Sequence, residues 1–92
     1  MANLGYFTIN TNGEYKTIEE LTELTFTAGK IYSMQVTNGG GCLTICSSST
    51  LPTKGGFVMN DMEKFNYTPV EGVNLYLKTA GFGAVNYLNI AE

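Results

Sequence analysis

The stretch that decides the fold is Ile31 to Thr37, which reads IYSMQVT. Its apolar residues Tyr32, Met34 and Val36 alternate with polar ones. Such alternation is typical of a β-strand that buries one face and shows the other to solvent. The run from Asn38 to Gly41 follows, and we expect a loop there because several of its residues need positive φ. The stretch therefore predicts a half-buried strand that ends in a tight connection.

Similar short segments lie on both sides of this strand, separated by Gly, Asn or Pro at roughly ten-residue spacing. They are expected at 5–10, 14–18, 24–26, 42–47, 57–59, 63–67, 74–78 and 84–90. The dipeptide Asn12-Gly13 predicts a hairpin between the first two of them. Seven to eight short strands among these nine segments predict an all-β chain: a small antiparallel β-sandwich or flattened barrel, Ig-like or jelly-roll-like. The length predicts a single domain over residues 1–92.

One segment has helical spacing instead. Thr17 and Glu20 have the form of a capping box, in which a threonine and a glutamate three residues later cap a helix N-terminus. We expect at most one short helical turn, across residues 18–23. The alternation in residues 24–26 then predicts a return to strand, ended by Gly29.

The amino-acid composition excludes most classes of catalytic site. The chain has five Lys and eight Asp plus Glu, a net charge of −3, and no Arg, His or Trp. Without His it lacks the usual neutral-pH base and imidazole metal ligand, and without Arg it lacks a bidentate clamp for phosphate. A net negative charge argues against nucleic acid and against an anionic membrane surface as partners. We therefore predict that the chain is not an enzyme and takes no cofactor.

Three remaining candidates for chemistry are weak. The hydroxyls of residues 47–50 and the Cys46 thiol have no histidine to activate them. Asp61 and Glu63 fall short of a calcium-loop spacing. In a straight strand Cys42 and Cys46 would lie about 13 Å apart, too far for a disulfide. We therefore predict two reduced structural thiols and no metal site.

The N-terminus has no basic segment followed by a long apolar run, and apolar runs elsewhere reach three or four residues. This pattern predicts neither a signal peptide nor a membrane span, and thus a soluble chain made in a cytoplasm.

Tyrosine is a frequent interface residue because it combines an apolar ring with a hydroxyl. If Leu75 and Leu77 face the core, Tyr76 faces outward, which makes it the best candidate for an interface aromatic. The other candidate interface residues are Lys78, Tyr6 and Phe82.

A pattern of turn and strand residues runs from Phe26 to Lys78, within a resemblance that covers roughly residues 24–90. It comprises Phe26-x-x-Gly29-Lys30-x-Tyr32-x-x-Gln35-Val36, Gly41-x-Leu43, Pro52, Gly56-Phe57, Phe65 or Tyr67, and Leu75-Tyr76-Leu77-Lys78. This pattern resembles small β-sandwich proteins encoded in the structural regions of tailed bacteriophages, several of which are capsid decoration, head-fibre or tail accessory proteins. Residues 1–20 do not align with the pattern, which leaves them as a variable N-terminal arm or a hairpin.

The resemblance implies a non-enzymatic virion protein, assembled in the host bacterial cytoplasm. The first expectation is a capsid decoration or auxiliary head protein that binds the phage major capsid protein or other virion proteins. Because so small a domain gains stability from added burial, we expect a homo-oligomer, with a trimer favoured. One alternative is a tail or fibre module that recognises a host-surface receptor or glycan. Another is an inhibitor of a host defence protein, which would mask a basic surface.

Overall fold

Two four-stranded antiparallel sheets enclose the core. The computed structural model describes residues 2–39 and 42–92. The strands are β1 (Asn3–Ile9), β2 (Lys16–Thr17), β3 (Tyr32–Gly39), β4 (Leu43–Ser48), β5 (Phe57–Met59), β6 (Lys64–Tyr67), β7 (Asn74–Lys78) and β8 (Asn86–Ala91), and helix α1 (Ile18–Thr22) lies between β2 and β3. Sheet 1 has the order β1-β8-β3-β6 and sheet 2 the order β2-β7-β4-β5.

The strand pairing is that of one long hairpin folded over on itself. Strand β1 pairs with β8, β2 with β7, β3 with β6, and β4 with β5, all antiparallel. Two more pairings, β3 with β8 and β4 with β7, join these ribbons into the two sheets. Eight strands connected in this way form a jelly roll. The predicted all-β sandwich is confirmed, with the jelly-roll rather than the Ig-like connectivity.

The core forms where the inner faces of the two sheets meet. On β3, Tyr32, Met34 and Val36 are each 2% exposed or less, as their alternation predicted. Met34 and Val36 are in register with two fully buried residues of β8, Ile90 and Leu88. Sheet 2 supplies other members of the same cluster, Leu43, Leu75 and Leu77 among them. The strand that decided the fold is therefore a central strand of the sandwich.

The expected hairpin between the first two strands is wrong, although its turn exists. Asn12 and Gly13 both have positive φ, 54° and 82°, and the Glu14 N–H donates to the Thr11 carbonyl at 3.1 Å. The turn, however, carries the chain from sheet 1 to sheet 2. Strand β1 pairs with β8 and β2 pairs with β7, so the two segments never form a ladder with each other.

The predicted capping box is confirmed. The Glu20 N–H donates to Thr17 Oγ1 at 3.3 Å, and the Thr17 N–H donates to Glu20 Oε1 at 3.3 Å. Helix α1 has five residues, and no helix of the described chain is long and apolar enough to cross a membrane. The C-cap residue that follows helix α1 is Glu23, which has a left-handed φ of 60°.

The strand expected at residues 24–26 does not form, because the left-handed Glu23 redirects the chain after α1. Phe26 instead packs edge-on against two core tyrosines, 4.9 Å from the Tyr32 ring and 5.8 Å from the Tyr67 ring. In the loop predicted at residues 38–41, β3 continues to Gly39, and residues 40–41 lie outside the described part of the chain.

Candidate functional site

Tyr76 is buried, so the expectation that it is an exposed aromatic is wrong. The alternation of β7 does place it on the outer side of sheet 2, since Leu75 and Leu77 belong to the core. Its side chain is nevertheless only 7% exposed. Sequence reasoning missed this because it treated the outer side of sheet 2 as open to solvent.

The connection between β4 and β5, residues 49–56, folds back over this outer side. The Tyr15 hydroxyl donates to the Gly55 carbonyl, and Lys78 Nζ lies 4.7 Å from the centre of the Tyr15 ring. A depression beside them is lined by Tyr15, Lys78 and residues 51–53. Burial, and then the charge of Cys46, raises the pKa of the Tyr15 phenol above its usual range. The contact between Lys78 and the Tyr15 ring therefore packs the lysine side chain against its own domain.

The other predicted interface residues lie elsewhere. Tyr6 is 57% exposed on the outer side of sheet 1, and Phe82 is 92% exposed in the connection between β7 and β8. Tyr6 therefore lies on the outer side of sheet 1, Lys78 lies on the outer side of sheet 2, and Phe82 lies in a loop. The structure does not bring the predicted interface residues together on one surface.

The outer side of sheet 1 carries amide and hydroxyl side chains from all four strands. We call this surface the amide face and define it by Asn3, Ser33, Gln35, Lys64, Asn66 and Asn89. These six residues line a shallow depression of about 330 Å³ together with Met34, Phe65, Ile90 and Ala91. Gln35 is in register with Asn89 on one side and with Lys64 on the other. The face is therefore a continuous row of polar groups across the sheet.

Two hydrogen bonds and a ring pair hold the amide face in place. Ser33 Oγ donates to Asn66 Oδ1 at 3.2 Å, and Gln35 Nε2 donates to the Met62 carbonyl at 3.1 Å. Tyr6, which is in register with Asn89, stacks on Tyr87 with 5.6 Å between ring centres and 4° between ring planes. The Tyr6 hydroxyl also lies 3.1 Å from Thr37 Oγ1. These contacts orient the side chains of Ser33, Asn66 and Gln35 and the ring of Tyr6.

The outer edge of sheet 2 is apolar. Strand β5 pairs with β4 at three positions, from Leu43 to Ile45, and the ladder stops there. Phe57 is 78% exposed and Val58 is 56% exposed. Beyond the end of the ladder lies a notch of about 240 Å³, whose lining is Ile45, Cys46, Ser47, Gly56, Phe57 and Leu75. We call Phe57, Val58 and this notch the β5 edge.

In the described part of the chain, the cysteines and acidic residues do not form a third candidate site. Cys42 and Cys46 are both free thiols, and Cys42 Sγ lies 3.2 Å from Asn60 Oδ1. Glu63 Oε1 accepts from the Asn60 N–H at 2.8 Å within the turn after β5. Within residues 2–39 and 42–92, no group of three or more His, Cys, Asp or Glu side chains is placed to hold a metal ion.

No protein-family model, curated protein or solved structure matches the chain. The amide face and the β5 edge are therefore the features of the molecule that indicate a function. The alternation of β3 already indicated that Ser33, Gln35 and Thr37 point away from the core. Their partners on neighbouring strands depend on a register that a single sequence does not contain, and the exposure of Phe57 had no local signal.

Proposed function

We propose that the chain is a non-enzymatic structural protein of a tailed-bacteriophage particle, a capsid decoration protein that docks on the major capsid protein. The observation that carries the proposal is the β5 edge. A strand edge with unpaired backbone groups and exposed apolar side chains readily pairs with another chain. Phe57 and Val58 are exposed on such an edge, and β5 contains no charged residue or proline.

The fold and the resemblance agree with this proposal. Jelly rolls are common among viral capsid and lectin domains, although a fold alone does not define a function. The Gly-Lys-x-Tyr segment of the resemblance has a clear structural role here. The Gly29 N–H donates to the Pro69 carbonyl at 3.0 Å, Lys30 pairs with Glu92 at 2.6 Å, and Tyr32 Oη accepts from the Thr27 N–H at 2.8 Å. These contacts tie the start of β3 to its surroundings.

Docking on a large particle suits the energetics of this chain. A 10.0 kDa domain buries a smaller share of its surface than a larger one and gains stability from any partner that binds only the folded state. The β5 edge brings no charged side chain of its own into the contact, so little charge is desolvated when it is covered. A homotrimer, which belongs to the same proposal, would have three times the 10.0 kDa chain mass by light scattering.

The experiment adds purified protein to capsids from the phage that encodes it, prepared without this protein, and measures occupancy by quantitative mass spectrometry. Val58→Lys places a charge on the β5 edge, and Val70→Lys makes the same change in the connection between β6 and β7. The two valines are 56% and 62% exposed, so neither substitution disturbs the core. Thermal unfolding confirms that both variants fold.

We expect the wild-type chain and Val70→Lys to fill the capsid sites, and Val58→Lys to lose at least tenfold in occupancy. Mass spectrometry of native particles should also find the chain in a fixed ratio to the capsid protein. Its absence from native particles would refute the virion assignment. Equal occupancy by Val58→Lys and Val70→Lys would refute docking through the β5 edge.

A further inference from the structure

We propose that the amide face is a binding site for a neutral oligosaccharide. This inference does not depend on the virion assignment and uses the opposite side of the molecule from sheet 2. It starts from the groups present on the face: three asparagines, one glutamine and one serine, with a tyrosine pair beside them.

The charge of the face selects the class of ligand. Lys64 is the only Asp, Glu or Lys in the strands of sheet 1. A nucleic acid would need several cations, and an acidic sugar or phosphate would need a charged clamp. A protein partner would favour an apolar centre. In this depression Met34 and Ile90 belong to the core cluster and Phe65 packs against it, whereas the outward-facing row is formed by Gln35 and Asn89. A neutral polar ligand matches a face whose row of side chains carries a single charge, Lys64, at its β6 end.

The hydrogen-bonding groups suit sugar hydroxyls in particular. A sugar hydroxyl donates and accepts, and a side-chain amide offers both an acceptor oxygen and a donor NH₂ group. Asn89, Gln35 and Lys64 are aligned across adjacent strands. Four strands spaced about 4.8 Å apart make the row about 14 Å long, the scale of a short oligosaccharide rather than a single sugar.

Aromatic contact and rigidity complete the site. Tyr6 continues the row beyond Asn89, and its exposed ring offers an apolar surface to the C–H groups of a sugar. Its stacking on Tyr87 and its contact with Thr37 hold the ring in one orientation. The hydrogen bond of Gln35 to the Met62 carbonyl likewise orients that amide. Groups that are already ordered lose less entropy when a ligand binds.

The test is a titration of the ¹⁵N-labelled chain with pools of neutral trisaccharides (maltotriose, cellotriose, mannotriose and N-acetylated chitotriose), and separately with trisaccharides that contain a uronic acid, followed by amide chemical shifts. We expect saturable shifts confined to the amide face for at least one sugar. Asn89→Ala removes one amide from the centre of the row and should weaken binding at least fivefold. Asn74→Ala, an exposed strand asparagine of sheet 2, is the matched control and should bind as the wild type does.

Two further arms make the result decisive. Tyr6→Ala should weaken binding at least fivefold, and Val58→Lys should leave it unchanged, so a failure of capsid docking is distinguishable from a failure of sugar binding. Absence of saturable shifts with every neutral pool would overturn the proposal. Binding restricted to trisaccharides that contain a uronic acid, and lost in Lys64→Gln, would also overturn it in favour of an anion site.

Discussion

Replacing Gly56 with alanine tests how the connection between β4 and β5 is packed. Gly56 has a φ of +101°, a conformation that side chains rarely adopt. An added Cβ would lie 2.7 Å from the Ile45 carbonyl oxygen, 3.0 Å from Tyr15 Oη and 3.1 Å from Thr44 Cγ2. The nearest of these atoms is strand backbone, which cannot rotate away as a side chain can. The substitution must therefore strain Gly56 and also displace the connection from β4.

The expected loss of stability has two parts. Placing a side chain in a left-handed conformation costs about 1–2 kcal/mol. Forcing an extra carbon into a packed site costs about 1–3 kcal/mol more. The total is about 2–5 kcal/mol, a large share of the roughly 5–15 kcal/mol by which domains are stable. In a domain of this size each kcal/mol lowers Tm by about 4–8 °C, so Gly56→Ala should lower it by about 8 °C or more.

The assay is urea unfolding followed by circular dichroism and by tyrosine fluorescence, with agreement between the two probes as the check on two-state behaviour. The matched control is Gly72→Ala. Gly72 has a φ of +81°, but nothing lies within 4 Å of an added Cβ, so only the conformational part remains. We expect that control to lose about 1–2 kcal/mol. An equal loss in the two variants would show that the connection does not pack against β4 at Gly56.

Three other predictions concern stability. Thr17→Ala removes the hydroxyl that accepts from the Glu20 N–H in the capping box and should cost about 1 kcal/mol in urea unfolding, whereas an unchanged midpoint would contradict the role of this cap. Leu88→Ala empties a fully buried position on central β8 and should cost about 2–5 kcal/mol; a smaller loss would argue against its place in the core. Burial, followed by the charges of Glu19 and Tyr32, raises the pKa of the Tyr67 phenol. The unfolded phenol then ionises first, so the stability from Tyr67 is complete below about pH 10 and is lost as pH rises through the folded pKa. Between roughly pH 9 and pH 11, a range that spans the usual tyrosine pKa, the Tyr67→Phe variant should therefore lose less stability than the wild type does. An identical pH profile for the two proteins would contradict this cause.

The sequence predicted the local features of this fold well. The capping box at Thr17 and the strand beginning at Tyr32 depend on neighbours within a few residues, and both are confirmed. The Asn12-Gly13 turn also forms, yet its use as a hairpin was wrong, because the partner of β1 is β8, about eighty residues away along the chain. Pairing at that separation depends on which apolar faces meet in the core, and turn chemistry does not specify it.

For the two candidate surfaces, too, the sequence indicates local features but not the contacts between distant segments. Alternation in β3 identified Ser33 and Gln35 as outward-facing, but the partners that make them a row come from β6 and β8. For Tyr76 the alternation gave the correct side of sheet 2 and the wrong exposure. A distant segment folds over that side, and burial by a distant segment leaves no periodic trace in the sequence.

The distribution of charge distinguishes the β5 edge from the other sheet edges. Every Asp and Glu lies outside the strands, and the strands carry three charges, Lys16, Lys64 and Lys78. Charged residues and irregular pairing are devices that protect a strand edge from unwanted partners. Of the four edge strands, β2 has Lys16, β6 has Lys64, and β1 has a shift of register between Asn3 and Gly5. Strand β5 has neither a charged residue nor a register shift, and its length of three residues is its only such protection. It is therefore the edge strand with which another protein can pair most easily. The amide face lies on the other sheet, and a substitution on one surface should therefore leave binding at the other intact.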